Sequence, residues 1–246
     1  MRELEFRLNL FLTVFGSFLW LGFALLSVEL IFGQVDLIAG WSRNEIWLLM
    51  AVYLLFYDFF SIFISKNLRE FSELIRRGHF DFVLLKPINT RFLVSTRYFN
   101  LYRLFRFVFE IHLLFKLLAD FSLQPGLVSW LVFLALFCLG IIVFYNLFFS
   151  IAILSIWFVK LFNLGDLFSR ILDAGHYPID IFPKNFRLLF VYLIPIGFVA
   201  TFSTQALLGQ PNVWMISVGM VLSIITFILS HKFWHYALRH YQSASS

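Results

Sequence analysis

From Gly126 to Phe158 the chain runs for more than thirty residues without a charged side chain. Few environments accept such a segment. A helix that crosses a bilayer needs roughly 20 apolar residues to span a hydrocarbon core of about 30 Å. The run is therefore too long for one crossing without strong tilt, and Tyr145-Asn146 is the natural place to divide it. This reading gives one span at about Gly126–Tyr145 and a next one at about Leu147–Leu172.

The rest of the chain follows the same pattern. Apolar residues make up 61% and charged residues 13% of it, whereas soluble domains hold about 45–50% and about 25%. Too little polar surface exists to coat a water-facing globule, so lipid is the solvent for most of the exterior. The apolar runs are continuous rather than short and alternating. That argues against a barrel and for helices, which satisfy their backbone groups within the segment. Further spans fall at about Leu8–Phe32, Glu45–Ile64, Phe99–Leu118 and Asn212–Phe233. The first is too long for the apolar core of a signal peptide and is read as retained. The expected fold is all-α, with about six transmembrane helices in a single transmembrane domain over residues 1–246. No internal repeat, low-complexity tract or soluble domain is visible.

The net charge of +5 does not point to nucleic acid, because the basic residues collect beside the spans. Residues 65–97 carry Lys66, Arg69, Arg76, Arg77, Lys86, Arg91 and Arg97 against Glu70, Glu73 and Asp81, which marks a cytoplasmic loop. Arg2 and Arg7 before the first span, and Lys232 and Arg239 at the end of the last, place both termini in the cytoplasm. Cys138 stands alone in an apolar run and has no partner for an internal disulfide.

Within the basic loop, Leu68, Phe71, Ile75 and Gly78 share one helical face, and Arg69, Glu70, Glu73, Arg76 and Arg77 occupy the rest. That pattern predicts an amphipathic surface helix closed by Gly78. Such a helix either lies on anionic headgroups or docks a soluble partner. Its mixed charges favour docking, since a lipid-binding helix is usually basic along its whole polar face. Residues 176–211 differ in kind. Pro178, Pro183, Pro195 and Pro211 interrupt an otherwise apolar stretch, and each removes a backbone donor. A broken apolar segment at membrane depth reads as a re-entrant helical pair, packed within protein or lining a wet cavity.

Ionisable residues inside spans usually face a bundle interior or a cavity. Lys160, Asp166 and Arg170 are such candidates. Asp166 and Arg170 stand four apart, as a pair on one helix face would. They form either a structural ion pair or the polar lining of a substrate path. Arg103, Arg106, Glu110 and Lys116 read as structural, with Arg106 and Glu110 paired and the other two snorkelling. No paired intramembrane carboxylates suggest a proton relay. His231 and His235 share a helix face, but no third ligand is apparent, so no metal site is assigned. There is no G-x-x-x-x-G-K-[ST] phosphate loop and no recognisable nucleophile motif. The chain reads as a transport subunit and not as an enzyme.

Several stretches in a fixed order carry a resemblance. They are Gly40-Trp41-Ser42 with Glu45-Ile46; Ile75-Arg76-Arg77-Gly78-His79-Phe80-Asp81; Leu84-Leu85-Lys86-Pro87; Tyr177-Pro178-Ile179-Asp180-Ile181-Phe182-Pro183; Ile194-Pro195; Ala206-Leu207-Leu208-Gly209; and the tail Leu238 to Ser246. Together they resemble the type-two ATP-binding-cassette (ABC) permeases, within a bacterial subgroup. The resemblance implies six spanning helices with a re-entrant pair before the sixth, in a bacterial cytoplasmic (inner) membrane. It implies that Lys66–Asp81 is a coupling helix seated in a separate ATPase subunit, with Arg69, Glu70, Glu73, Arg76, Arg77, Gly78 and Asp81 as the docking residues. It implies assembly with a second permease, identical or homologous, and with two ATPase subunits that bind the ATP and Mg. This chain would hold no cofactor itself.

Family members usually carry a longer cytoplasmic stretch than Met1 to Arg7 before the first span, so that element is short here or the start is late. Export is the expected direction. The aromatic-rich interior suits lipid-like, amphiphilic or drug-like molecules better than small ions. The rival reading is a secondary, ion-coupled transporter that works without an ATPase, although such folds usually show internal symmetry.

Overall fold

The computed structural model describes residues 15–158 and 164–241, apart from 17, 20, 21 and 24. Among these no β-strand occurs beyond a single bridge between Ile38 and Trp41. The elements in order are α1 (15–32, helical at every described position), α2 (Arg43–Phe60), α3 (Lys66–Arg76), α4 (Phe80–Leu84), α5 (Thr90–Thr96), α6 (Tyr102–Asp120), α7 (Leu127–Ile153), α8 (Leu164–Asp173), α9 (Lys184–Tyr192), α10 (Thr201–Leu207) and α11 (Val213–Arg239).

Three described helical runs are long and apolar enough to cross a membrane: Arg43–Arg76, Leu127–Ile156 and Val213–Arg239. At 1.5 Å per residue each is about 40–50 Å long and outlasts a hydrocarbon core of about 30 Å. The run Arg43–Arg76 joins α2 to α3 through a π-helical turn at Ser61–Ser65. The amphipathic helix expected as a separate element is thus the continuation of the second span. At the other end of α2, Ala39 and Gly40 both take positive φ in the two-residue turn bridged by Ile38 and Trp41. Glu45 then closes the helix start, accepting from the Ser42 backbone N–H at 2.7 Å and from its hydroxyl at 2.9 Å. These contacts account for the Gly40-Trp41-Ser42-x-x-Glu45 pattern.

Among the described residues α7 and α11 form the most extensive helix pair, and α2 with α6 the next. Aromatic rings fill the space between α2 and α7. Phe56 meets Phe144 edge to face at 5.8 Å, and Phe60 meets Phe148 at 5.3 Å, geometries that suit the ring quadrupoles. The proline-rich segment folds as expected of a broken span or a re-entrant loop: Lys184–Tyr192 and Ile196–Leu207 meet at 70° around Pro195. Its corner inserts Phe198 between α7 and α11. A Cβ on Gly140 would lie 2.9 Å from the Phe198 carbonyl oxygen, and one on Gly219 would lie 2.8 Å from the Phe198 ring. Glycine at both positions is what lets the corner approach.

Two expectations are corrected. No turn occurs at Tyr145-Asn146: α7 passes straight through both residues. Asn146 does not break the helix because its polar groups are satisfied in place. Its Nδ2 donates to the Ile142 carbonyl at 2.9 Å, and its Oδ1 accepts from Arg91 at 2.8 Å. Nor is Leu147–Leu172 one helix. α7 ends at Ile153, a 3₁₀ turn follows to Ile156, and the chain leaves helical geometry at Trp157 and Phe158. α8 is a separate helix of 10 residues. The long apolar run is used by a single helix that extends past the hydrocarbon, not by two crossings.

Candidate functional site

The charged loop folds so that its apolar and polar faces have different fates. On α3, Leu68, Phe71 and Ile75 are buried. The Phe71 ring lies 6.0 Å from Phe149 of α7, 5.7 Å from Trp234 of α11 and 5.4 Å from Phe80 of α4. The apolar face is therefore consumed by this chain's own long helices and has nothing left to insert into lipid. Arg69, Arg76 and Arg77 are exposed, and Glu70 and Glu73 are partly so. Glu73 accepts from Arg76 Nε at 2.7 Å and from Arg77 Nε at 2.6 Å. The Arg76 and Arg77 hydrogen bonds hold its carboxyl down at about 2. Gly78, at φ +69, ends the helix: His79 N–H returns to the Leu74 carbonyl at 2.9 Å and Gly78 N–H to Ile75 at 3.0 Å, as in a C-terminal cap. Asp81 lies beside the Tyr241 hydroxyl. Burial and that carboxylate push the phenol pKa upward.

A second charged group lies between α2 and α6. Asp58, Arg106 and Glu110 are all buried. Asp58 Oδ2 accepts from Arg106 Nε at 2.5 Å, Oδ1 accepts from Arg106 Nη2, and Arg103 Nη1 reaches Oδ1 at 2.7 Å. Arg106 Nε also stands 3.2 Å from Glu110 Oε1. Asp58 meets both guanidiniums from within the protein, which is how charges are tolerated away from water. The expected Arg106–Glu110 pair is present, but the stronger contact is with Asp58, forty-eight positions earlier. The expectation that no carboxylates pair inside the membrane is corrected: Asp58 and Glu110 converge on one guanidinium. Spacing along a helix could show i,i+4 partners on α6, but only tertiary folding brings α2 alongside.

At the far end from α3, Trp41 Nε1 donates to Asp180 Oδ2 at 3.1 Å, and Asp180 pairs with Arg187 Nη1 at 3.1 Å. Tyr53 donates to Asp173 Oδ1 at 3.1 Å, and its ring lies 3.8 Å from that of His176. Two of the motif stretches, Gly40-Trp41-Ser42 and Tyr177 to Pro183, are thereby joined in space.

Of the residues expected along a substrate path, two lie on described backbone. Lys160 lies outside the described residues. Asp166 and Arg170 fall on α8, with Arg170 exposed, in place of the interior of a long span. His231 and His235 lie edge to face at 4.5 Å, and no group of three metal-ligand side chains occurs among the described residues. Along the chain, Arg91 is one cation of the basic segment and Asn67 one amide beside it; their partners on distant elements single them out.

Nothing among curated proteins or solved structures matches the chain. The family model described as ABC-2 family transporter protein matches residues 18–245. That match spans both charged groups, the bent pair and the three long apolar runs, and the chain is a multi-pass membrane protein that belongs to the ABC-2 transporter family.

Proposed function

We propose that this protein is the permease subunit of an ATP-driven ABC exporter in a bacterial inner membrane, with both termini cytoplasmic. The observation that carries this reading is the division of α3. Its apolar face is sealed against α7 and α11, and its charged face, Arg69, Glu70, Glu73, Arg76 and Arg77, is left on the surface. A helix lying on lipid would keep its apolar face free; one that receives a soluble ATPase keeps its polar face free. Gly78 and Asp81 follow as the closing turn of the same surface. ATP binding would draw two ATPase subunits together and tip the permease between discrete arrangements. The substrate path would run between this chain and a second permease, identical or homologous. Lys160, Asp166 and Arg170 would contribute polar groups to it.

About six crossings are part of this proposal. α6 supports the count although it carries several charged side chains. Its exposed side carries Phe105, Val108, Phe109 and Phe115, while Arg106 and Glu110 point inward. That inside-out arrangement belongs to a helix surrounded by lipid.

The rival, an ion-coupled transporter without an ATPase, gains support from one observation: Asp58 and Glu110 share a buried site. A pull-down from gently solubilised membranes separates the two. Recovery of an ABC ATPase is expected, and Arg76→Glu with Arg77→Glu is expected to abolish it. Recovery of the chain alone in several mild detergents would overturn the permease reading.

A further inference from the structure

Resting on the permease reading, the structure assigns to Arg91 a role that the docking face cannot fill: passing movement of the coupling loop into the long helices. We propose that Arg91 is the residue through which the α3–α5 unit grips α7 and α11 together.

The unit is rigid at its own joint. Asn67, buried on α3, donates through Nδ2 to the Tyr98 carbonyl at 2.8 Å and accepts the Tyr98 N–H at 2.8 Å. A third bond, to the Phe63 carbonyl at 2.8 Å, fixes the amide orientation. This staple ties α3 to the chain just past α5, so force on the docking face moves α5 with it. Asn89 caps α5, accepting the Phe92 N–H at 3.1 Å.

From α5, Arg91 then reaches two separate helices. Its Nη2 donates to Asn146 Oδ1 of α7 at 2.8 Å and to Ser230 Oγ of α11 at 3.0 Å. Its guanidinium lies over Phe149 of α7 at 4.6 Å, and 5.5 Å from each of the Tyr145 and Phe227 rings. Ser95, one turn on, adds a hydroxyl contact to Tyr145 at 2.8 Å. Asn146 and Ser230 are buried polar groups in helices whose apolar windows hold few others. Among the described residues no carboxylate pairs with Arg91, and its Nη1 is buried without a hydrogen-bond partner. A structural cation in the same protein, Arg106, is by contrast neutralised by acids. Arg91 is held instead by neutral acceptors and aromatic faces on both long helices, so its contacts respond to how those helices sit relative to α5. The guanidinium fork, with donors fixed in one plane, suits a two-helix grip that a lysine reproduces only in part.

The claim that coupling runs through this residue requires a shift that depends on it. The test uses the complex of this chain with the ATPase that co-purifies, reconstituted in lipid nanodiscs. The background carries Cys138→Ser, with spin labels at Leu37→Cys and Leu127→Cys, two exposed positions at the end away from α3. Trapping with ATP, Mg and vanadate is expected to change the label distance with Arg91 in place. In Arg91→Met the ATPase remains bound and hydrolyses ATP, but the change is lost; Arg91→Lys restores part of it. Asn146→Ala with Ser230→Ala, which removes the acceptors and leaves the loop intact, gives the same loss. A wild-type distance change in Arg91→Met or in the acceptor variant overturns the proposal, as does a label pair that nucleotide never moves. Failure of any ATPase to co-purify with the wild-type chain overturns the permease reading and this role with it.

Discussion

α3 and α6 are built from similar chemistry and turned opposite ways. Each places arginines and a glutamate three or four residues apart on one helix. On α3 the Glu73 contacts to Arg76 and Arg77 face outward, and Leu68, Phe71 and Ile75 are buried. On α6 the Arg106 and Glu110 charges are buried against Asp58, and Phe105, Val108 and Phe115 face outward. The ion pair is the same interaction in both places; what differs is the solvent. In water an exposed pair contributes little, about 0–1 kcal/mol, so α3 can surrender its partners to another surface. In lipid a charge must be neutralised from within the protein, so the α6 group serves to hold α2 against α6. On the proposed reading, recognition falls to the first helix and architecture to the second.

The largest effect is expected from breaking the buried group unevenly. Asp58→Ala leaves Arg106 facing Glu110 alone and is expected to destabilise the protein by about 3–5 kcal/mol, read as a lowered midpoint of thermal unfolding in detergent. Replacing Asp58, Arg103, Arg106 and Glu110 together with Leu, Leu, Met and Leu is expected to restore most of the loss, because no unpaired charge remains in the group. If Asp58→Ala melted like the wild type, the architectural role of this group would be wrong.

Next in size is the corner of the bent pair. Gly140→Ala puts a methyl group against the Phe198 carbonyl and is expected to cost about 1–3 kcal/mol through overpacking. Gly219→Ala meets the softer Phe198 ring edge and is expected to cost less. Equal and negligible shifts in both variants would mean that the corner does not sit between α7 and α11.

On α3 the same unfolding assay should find little. Arg76→Glu with Arg77→Glu is expected to move stability by no more than about 0.5 kcal/mol while removing ATPase recovery. A large loss of stability would place α3 with the architecture and dissolve the contrast with α6.

The smallest effect concerns Glu73. Its folded pKa is about 2, below the ordinary glutamate value of about 4.3. Because the folded value is depressed, the stabilisation from this group is full above about pH 5 and lost as pH falls toward about 2. Wild type and Glu73→Gln should therefore differ slightly at neutral pH and converge in acid, with the difference also shrinking in high salt. A difference that grew in acid would contradict the assignment of the pairs.

The membrane class, the amphipathic character of α3, the stop at Gly78 and the break at Pro195 were all legible, because each rests on local rules of periodicity, capping and missing donors. The division of the long apolar run at Tyr145-Asn146 went the other way. Asparagine in a helix looks like a turn when its partners are unknown. Arg91, fifty-five positions away, and the Ile142 carbonyl one turn back make it an internal anchor instead.

By itself, then, the sequence determined that lipid would be the solvent, that α3 would present a charged face, and that the chain would break at Gly78 and Pro195, since those follow from composition and from neighbours within a turn or two. Only the tertiary structure decided which charges meet. Asp58 finds Arg106 and Arg91 finds Asn146 and Ser230 across gaps of 48, 55 and 139 residues. Such pairings are set by how helices pack, and no local pattern records them. A buried charge takes its meaning from the group opposite it, and that group is supplied by the fold.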